Sequence, residues 1–457
     1  MFRYRLSAFI FRRDLRLADN RGLNAALAAS EKVLLCFILD PRQIEPHPYQ
    51  SLPGLQFMLE ALADLQQQAH QLNGVLYLFN DQPEQVLSRL RQEQQIEAVF
   101  VNRDYTPFSR HRDADLQHYC RQAGLDFNSY ADLLLNEPEQ VLKDSGQPYQ
   151  VFTPFYRRAR QIPVALPQTV NTGKFVQHYP EYKEPDWLKQ LQTSHHNPFR
   201  GGRSPALAIL EHKITECREY AVQRDIPALA ATSGLSAYLK FGCCSVREAY
   251  YAIAQELGSE HGLLRQLYWR DFFSHIAFHY PHVFGHAFHR QYDAIPWQKD
   301  MDRFQAWREG RTGFPIVDAA MRELRETGWM HNRLRMITAS FLVKDLHISW
   351  RWGERYFAQQ LIDYDPCINN GNWQWAASTG CDAQPYFRIF NPWLQQQKFD
   401  PDGVYIRRWL PELRDLSPKQ IDQQRDGGLV GDYPGPMVEH GVQSEIIKGL
   451  FKAVQSS

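Results

Sequence analysis

The chain has 457 residues, 44% of them hydrophobic, and its formal net charge at pH 7 is zero. A single core usually stops growing at roughly 250–300 residues, so we expect at least two packed units and no extensive disorder. The balanced charge gives no overall basic field, no window approaches 18 uncharged apolar residues, and the seven cysteines contain no C-x-x-C pair. We therefore expect reduced thiols in a cytoplasmic protein without a membrane span. We also expect a monomer.

Short apolar runs of strand length alternate with helical patterns over the first third of the chain. The predicted strands are Ser7–Phe11, Val33–Leu39, Val75–Phe79 and Ala98–Val101. The predicted helices are Gly22–Ser30, Leu55–Leu72, Glu84–Gln92 and Arg110–Arg121. Continuous apolar strands separated by helices are typical of a parallel sheet that is covered on both faces. The pattern predicts a Rossmann-like α/β domain over residues 1–130, with ligands beyond the carboxyl ends of its strands.

The periodicity fades over residues 131–203, which are predicted to form a linker. Ser204 followed by Pro205 predicts the start of a helix, with serine as the N-cap. Ser245 and Glu248 have the spacing of a capping box. Because helical patterns then follow one another, residues 204–457 are predicted to form a larger all-α domain.

Ten of the eleven tryptophans lie between Trp269 and Trp409, among arginine, asparagine and aspartate. Two stretches combine tryptophan with these polar residues, Gly328–Met336 and Asn369–Gly380. Buried helix packing explains the tryptophans, but buried amides and guanidinium groups need hydrogen-bonding partners. Asp363 and Asp365 could pair with Arg335 or with Arg270. A polar network beside aromatic rings predicts a site for a flat aromatic ligand.

Neither a dinucleotide fingerprint nor a P-loop is present. The segment Thr232–Ser236 places three hydroxyls around a glycine at a predicted helix start, which suits phosphate but is also typical of an ordinary helix start. His275 and His279 have a spacing that can place two imidazoles on one helix face. Pro281 breaks that helix and no carboxylate completes a ligand set, so we predict a solvated or phosphate-facing histidine surface and no metal site.

Several segments together resemble the photolyase/cryptochrome flavoproteins, in particular the bacterial class I cyclobutane-pyrimidine-dimer (CPD) DNA photolyases. They are Arg12–Leu17, Val151–Phe155 and Arg408–Leu413, with the densest resemblance over Arg303–Phe399. The resemblance implies an α/β antenna-chromophore domain and a helical domain that binds FAD and the DNA lesion. It also implies light-dependent repair of CPDs in damaged DNA, by electron transfer from photoexcited reduced FAD.

The resemblance further implies roles for individual residues. Those implied to bind FAD are Tyr220, Thr232, Ser233, Gly234, Leu235, Ser236, Arg270, Arg335, Asp363, Asp365 and Asn369, the last facing the flavin N5. Those implied to contact the flipped dimer or its phosphates are Arg224, Gln266, Trp269, Asn332, Arg333, Met336, Trp375 and Gln395. The implied electron-transfer chain is Trp373, Trp350 and Trp297. These tryptophans form the implied catalytic set with Asn369 and Gln266.

One departure from the family pattern concerns the lesion site. CPD photolyases usually have glutamate where this chain has Gln266. A neutral hydrogen bond in place of a charge-assisted one predicts a loss of about 0.5–2 kcal/mol, or roughly 2- to 30-fold, so repair is reduced but not abolished. Glutamine also occurs in (6-4) photolyases, but Asn332 and Met336 replace the histidines expected there. A cryptochrome-like blue-light photoreceptor with weak or no repair activity remains the alternative.

The second departure concerns the antenna chromophore. The segment Asp104–Arg110 lacks the glutamate that is typical of folate-binding members. It is more similar to members that use a deazaflavin or FMN, and an empty antenna pocket is a further alternative. The sequence leaves the choice among these open.

Overall fold

The computed structural model describes residues 2–170, 173–183, 197–229, 231–426 and 432–455. The chain divides into two compact units, of which the first comprises Met1–Ser194, Phe199–Arg218 and Ser233–His279. The second comprises His195–Pro198, Glu219–Thr232 and Tyr280–Ser457. The predicted limits of the antenna domain, the linker and the helical domain stay predictions. Residues 171–172 and 184–196 of the predicted linker lie outside the described residues.

A five-stranded parallel sheet forms the centre of the first unit. Its strands are β1 (Tyr4–Phe11), β2 (Ser30–Ile38), β3 (Leu76–Phe79), β4 (Ala98–Asn102) and β5 (Asp126–Tyr130). They run in the order β3-β2-β1-β4-β5, so the direction of winding reverses between β1 and β4. The four predicted strands are confirmed. The sequence prediction missed β5, an edge strand of sequence DFNSY that lacks the continuous apolar run of a buried strand.

The helices of the first unit are α1 (Arg21–Ala29), α2 (Pro41–Ile44), α3 (Leu52–Gln71), α4 (Pro83–Gln94), α5 (Pro107–Ala123), α6 (Phe152–Ala159), α7 (Arg203–Ala208), α9 (Ser236–Phe241), α10 (Val246–Leu257) and α11 (Gly262–His279). The predicted capping box at the start of α10 is confirmed. The predicted N-cap at Ser204 is wrong, because Ser204 lies inside the first turn of α7. The carboxylate of Asp64 on α3 accepts a hydrogen bond from the Arg203 N–H at 2.9 Å, so a distant residue supplies the acceptor.

The second unit is helical in its described part. Its helices are α8 (Tyr220–Gln223), α12 (Met301–Glu309), α13 (Pro315–Thr327), α14 (Asn332–Ser340), α15 (Trp350–Gln360), α16 (Pro366–Ala377), α17 (Pro392–Phe399), α18 (Val404–Trp409), α19 (Pro418–Asp422) and α20 (His440–Gln455). A π-helical turn, Phe341–Asp345, continues α14. Large aromatic side chains, including Trp307 and Trp350, fill the core. The predicted fold class, a parallel α/β sheet with a helical domain, is confirmed.

Among the described residues, none of the helices is both long enough and apolar enough to cross a membrane.

Candidate functional site

A cleft in the first unit opens where the winding of the sheet reverses. Residues directly after β1 and at the end of β4 line it. Its charged lining residues are Arg12, Arg13, Arg16, Arg103, Arg270, Asp14, Asp104 and Asp132. Five cations against three anions give the lining a net positive charge, which suits a ligand with anionic groups. The position agrees with the expected ligand site of a doubly wound sheet.

Ion pairs and hydrogen bonds hold the polar wall of this cleft in place. Arg13 donates to Asp104 at 3.1 Å, and the amide of Asn102 donates to Asp14 at 2.6 Å. Burial by itself would raise the pKa of Asp104, but the charges of Arg13 and Lys240 outweigh burial and lower that pKa well below its usual range. Asp104 is therefore ionised at neutral pH, and it offsets part of the positive charge.

Helix α11 carries three of the predicted site residues within little more than one turn. Gln266 is half-buried, and Trp269 stacks on Phe152 with ring centroids 3.6 Å apart and planes inclined by 8°. Arg270 donates to the backbone carbonyl of Leu133 at 2.7 Å. The indole of Trp269 and the guanidinium of Arg270 are thus fixed by residues far away in the sequence.

The predicted phosphate-binding segment is divided between the two units. Thr232 ends a stretch of the second unit, whereas Ser233, Gly234, Leu235 and Ser236 precede and begin α9 in the first unit. Gly234 has a φ of +69°, and a Cβ atom there would lie 3.0 Å from the Phe199 ring. This conformation and the close approach of the Phe199 ring both favour glycine at this position.

In the second unit, Arg335 and Asp363 form a bidentate ion pair, with N–O distances of 3.1 and 2.9 Å. The sequence left open whether the aspartates pair with Arg335 or with Arg270, and the structure pairs Asp363 with Arg335. Asp365 instead caps α16, because its carboxylate accepts hydrogen bonds from the backbone N–H groups of Cys367 and Ile368 at 2.9 and 3.2 Å.

Asn369 is buried on α16, and its side-chain orientation is fixed. Its amide nitrogen donates to the backbone carbonyl of Glu354 at 3.0 Å and to the Glu354 carboxylate at 3.3 Å. Within the described part of the chain, the amide oxygen of Asn369 accepts no hydrogen bond. An unpaired acceptor on a buried residue, held in one direction, is suited to an N–H group on a ligand.

The three tryptophans of the predicted electron-transfer chain all lie in the second unit. Trp350 and Trp373 belong to its core, and Trp297 packs against that core. Trp373 approaches α15 so closely that a Cβ on Gly353 would lie 2.1 Å from its ring. Among the described residues, no ring contact joins the three tryptophans directly. Trp307, which the sequence prediction did not single out, makes an edge contact with Trp373 at 6.2 Å.

The structure brings Arg224 and Arg333 of the predicted lesion-contacting set into one neighbourhood around Asp225 and His331. Arg333 forms an ion pair with Asp225 at 2.9 Å. His331 is buried, and burial lowers its pKa to about 4; Asp225 and the Arg224 backbone oppose this shift, whereas Arg333 adds to it. Next to His331, Asn332 is exposed and donates to the sulfur of Met336 at 3.8 Å.

The remaining predicted residues of the second unit have fewer distinguishing contacts. Trp375 is partly buried against the core, and Gln395 is half-buried in the first turn of α17. Tyr220 begins α8, and the guanidinium of Arg224 lies 5.6 Å from its ring centroid.

The expectation of a solvated histidine surface is wrong for His275. This side chain is 1% exposed and packs against Phe155 and His279, because the α11 face that carries it is turned toward α6. Burial lowers its pKa to about 3. No group of three or more potential metal ligands occurs among the described residues.

The sequence prediction missed several residues that hold the site residues in place. They are Phe152, Asp225, His331, Glu354 and Phe399. Asp225 follows Arg224 directly, which was a usable signal for a local charge pair. His331 lies directly before Asn332 and caps α14 by accepting from the Arg333 N–H, so its position was a local signal too. Phe152, Glu354 and Phe399 gave no such signal, since each acts on a residue that is distant in the chain.

Two family models match the chain. A model described as "DNA photolyase" matches residues 7–171, and one described as "FAD binding domain of DNA photolyase" matches residues 263–453. A Synechococcus protein named deoxyribodipyrimidine photo-lyase is 38% identical over 98% of this chain and 97% of its own length.

Two solved structures are similar over nearly the whole chain. An archaeal photolyase from Sulfolobus tokodaii, described as having two FAD molecules, is 43% identical with a TM-score of 0.90, covering 98% of this chain and 100% of that chain. A cryptochrome from Synechocystis is 29% identical, also with a TM-score of 0.90, covering 98% of this chain and 99% of that chain.

Proposed function

The chain belongs to the DNA photolyase family, and we propose on that basis that it is a deoxyribodipyrimidine photo-lyase, which uses light to split cyclobutane pyrimidine dimers in DNA. The observation that carries this function is the match with the Synechococcus photo-lyase over 98% of the chain. Bound FAD, when reduced and photoexcited, would supply the electron that splits the cyclobutane ring and would take it back once the two pyrimidines have separated. The protein supplies position and electrostatics.

The residues present fit such a cofactor. Asn369 keeps its amide oxygen available, because Glu354 accepts both hydrogen bonds of its amide nitrogen, and this oxygen would accept from the flavin N5. Arg335 with Asp363, Arg270 and Asp365 would line the flavin and its ribityl chain. The hydroxyls of the Thr232–Ser236 segment, with Tyr220, would bind the phosphates.

The lesion would be held by stacking and by polar contacts. Stacking on Trp269 and Trp375, worth roughly 1–3 kcal/mol per base, offsets the few kcal/mol that flipping a base out of the duplex costs. Gln266 would hydrogen-bond the dimer bases, and Arg224, Arg333 and Gln395 would contact the bases or phosphates. Asn332 and Met336 favour cyclobutane dimers over (6-4) products.

Trp373, Trp350 and Trp297 would form the route by which the protein delivers electrons to the cofactor. Two of them are buried and fixed by the core packing, which limits reorganisation during electron transfer. In the first unit, the positively lined cleft at the switch point would bind a second chromophore with anionic groups. Folate, deazaflavin and FMN all remain candidates.

The second candidate function is cryptochrome-like photoreception, which the similarity to the Synechocystis cryptochrome favours. A photoreceptor would bind a partner differently in light and in darkness, and it would repair DNA weakly or not at all. In either case we propose a cytoplasmic monomer.

A repair assay tests the proposed function. FAD-loaded protein is mixed with a dimer-containing oligonucleotide and a reductant, then illuminated with blue light while the absorbance of restored thymines is followed. We expect recovery in light only, and none with a (6-4) lesion. Absence of light-dependent recovery, with intact flavin photoreduction, would contradict photolyase activity and support photoreception.

A further inference from the structure

The side chain of Arg333 is held by the protein on two sides. Its Nη2 pairs with the Asp225 carboxylate at 2.9 Å, and its guanidinium carbon lies 4.5 Å from the centroid of the Phe399 ring. Its side chain is 16% exposed, and its buried Nε makes no hydrogen bond within the described part of the chain. The guanidinium therefore has one orientation, with an edge still open to solvent.

The segment that carries Asp225 is itself anchored. Ile226 and Ala228, which follow Asp225 in the chain, pack against the same core as Phe399. Asp225 is 32% exposed and follows Arg224 directly. The half-exposed carboxylate therefore pairs with Arg333 and follows Arg224 in the chain, both of which the proposed function assigns to DNA, and it neutralises part of the charge of Arg333.

We propose that Asp225 is a specificity-determining residue, which orients Arg333 for the lesion-bearing strand and weakens binding to undamaged DNA. This inference rests on the proposed photolyase function.

The physical reason lies in how the two kinds of DNA gain affinity. Undamaged DNA binds through phosphates alone, so every nearby carboxylate reduces its affinity and the number of counterions released. A flipped dimer gains additional contacts in its pocket, and it places its strand in one register. A pre-oriented guanidinium favours that single register, whereas the many registers of undamaged DNA gain little from it.

The test measures dissociation constants of the FAD-loaded protein for two duplexes of one sequence, with and without a dimer, over a series of salt concentrations. For Asp225→Asn we expect affinity for undamaged DNA to rise about 3- to 10-fold at low salt, with a salt dependence steeper by about one phosphate contact. The preference for damaged DNA should fall by a similar factor.

Three variants complete the design. Asp302→Asn makes the same charge change at an exposed position in the first turn of α12, and it should leave the preference unchanged. Asp225→Glu retains the charge and should keep affinity for undamaged DNA low. In an Arg333→Gln background, Asp225→Asn should have a smaller effect, because the paired charge is gone.

Two results would overturn this inference and leave the proposed function standing. One is a preference for damaged DNA in Asp225→Asn that equals that of Asp302→Asn. The other is a proportional loss of affinity for both duplexes together with a lower melting temperature, which would make Asp225 a folding residue. A wild-type protein that shows no preference for damaged DNA would instead overturn the proposed function, and this inference with it.

Discussion

Individual side chains of the proposed site owe their orientation to one or two specific partners. Glu354 fixes the amide of Asn369, and Asp363 fixes the guanidinium of Arg335. Removing one partner of a buried polar pair leaves the other unsatisfied, at a cost of about 1–3 kcal/mol. At this scale, the geometry of the site is set by pairs of residues.

Gln266 gives the first prediction at the residue scale. Gln266→Glu restores a charge-assisted hydrogen bond to the dimer, so we expect repair to become roughly 2- to 30-fold faster at limiting substrate. Gln266→Ala, which removes the hydrogen bond, should be slower than wild type. Steady-state repair kinetics under blue light check both variants, and a Gln266→Glu rate at or below that of wild type would contradict the hydrogen-bond argument.

Some side chains of the proposed site are held in place by the packing of two helices. Helix α6 packs on α11, and the Phe152 ring covers one face of Trp269 in close parallel stacking. Aromatic pairs contribute about 0.5–1.5 kcal/mol beyond their buried area. The packing of two helices therefore holds the Trp269 indole ready to stack on a base.

A substitution on α6 tests this element-level role. Phe152→Leu should lower dimer affinity about 2- to 10-fold while the repair rate at saturating dimer stays unchanged, since only the position of Trp269 is affected. Phe155→Leu is the matched control, because Phe155 packs on Phe272 and His275 instead. Equal dimer affinities of the two variants would show that the Phe152 ring does not position Trp269.

The stability of the whole molecule should depend on pH through buried titratable groups. Burial lowers the pKa of Lys344 to about 7, and its ammonium group lies over the Phe451 ring of α20 at 4.1 Å. Burial likewise raises the pKa of Glu323 to about 7 and that of Asp345 to about 6. The unfolded state releases the protons of these two acids at lower pH than the folded state does. Their contribution to the free energy of unfolding is therefore lost as the pH rises toward 7.

Above pH 7, Lys344 changes the free energy of unfolding with pH in the opposite direction to the two acids. Between about 7 and its unfolded pKa near 10.5, the unfolded state binds the extra proton, so the contribution of Lys344 to the free energy of unfolding rises with pH. Lys344→Met should raise this free energy at pH 6 by about 1–3 kcal/mol and remove the rise above pH 7. Urea denaturation over a pH series measures both effects. Lys448→Met, half-exposed on α20, should leave the pH dependence unchanged.

Local sequence patterns predicted much of the fold and the types of residue at the site. Four strands of the sheet and the capping box of α10 follow from the spacing of apolar and capping residues. Residue motifs also led to the family, which the full-length matches confirm. The roles of individual residues in binding FAD and the lesion stay predictions.

The sequence by itself thus determined most local elements, the fold class and the family, because these depend on residues that are close together in the chain. It missed β5 and misplaced the start of α7, where the edge of the sheet and the distant Asp64 decide the structure. Only the tertiary structure decided which partners meet. In the structure, Arg335 forms an ion pair with Asp363, and Asp365 caps a helix. The Phe152 ring stacks on Trp269, and Asp225 forms an ion pair with Arg333. These choices depend on how helices pack, and contacts between distant segments leave no local pattern by which one partner could be distinguished from another.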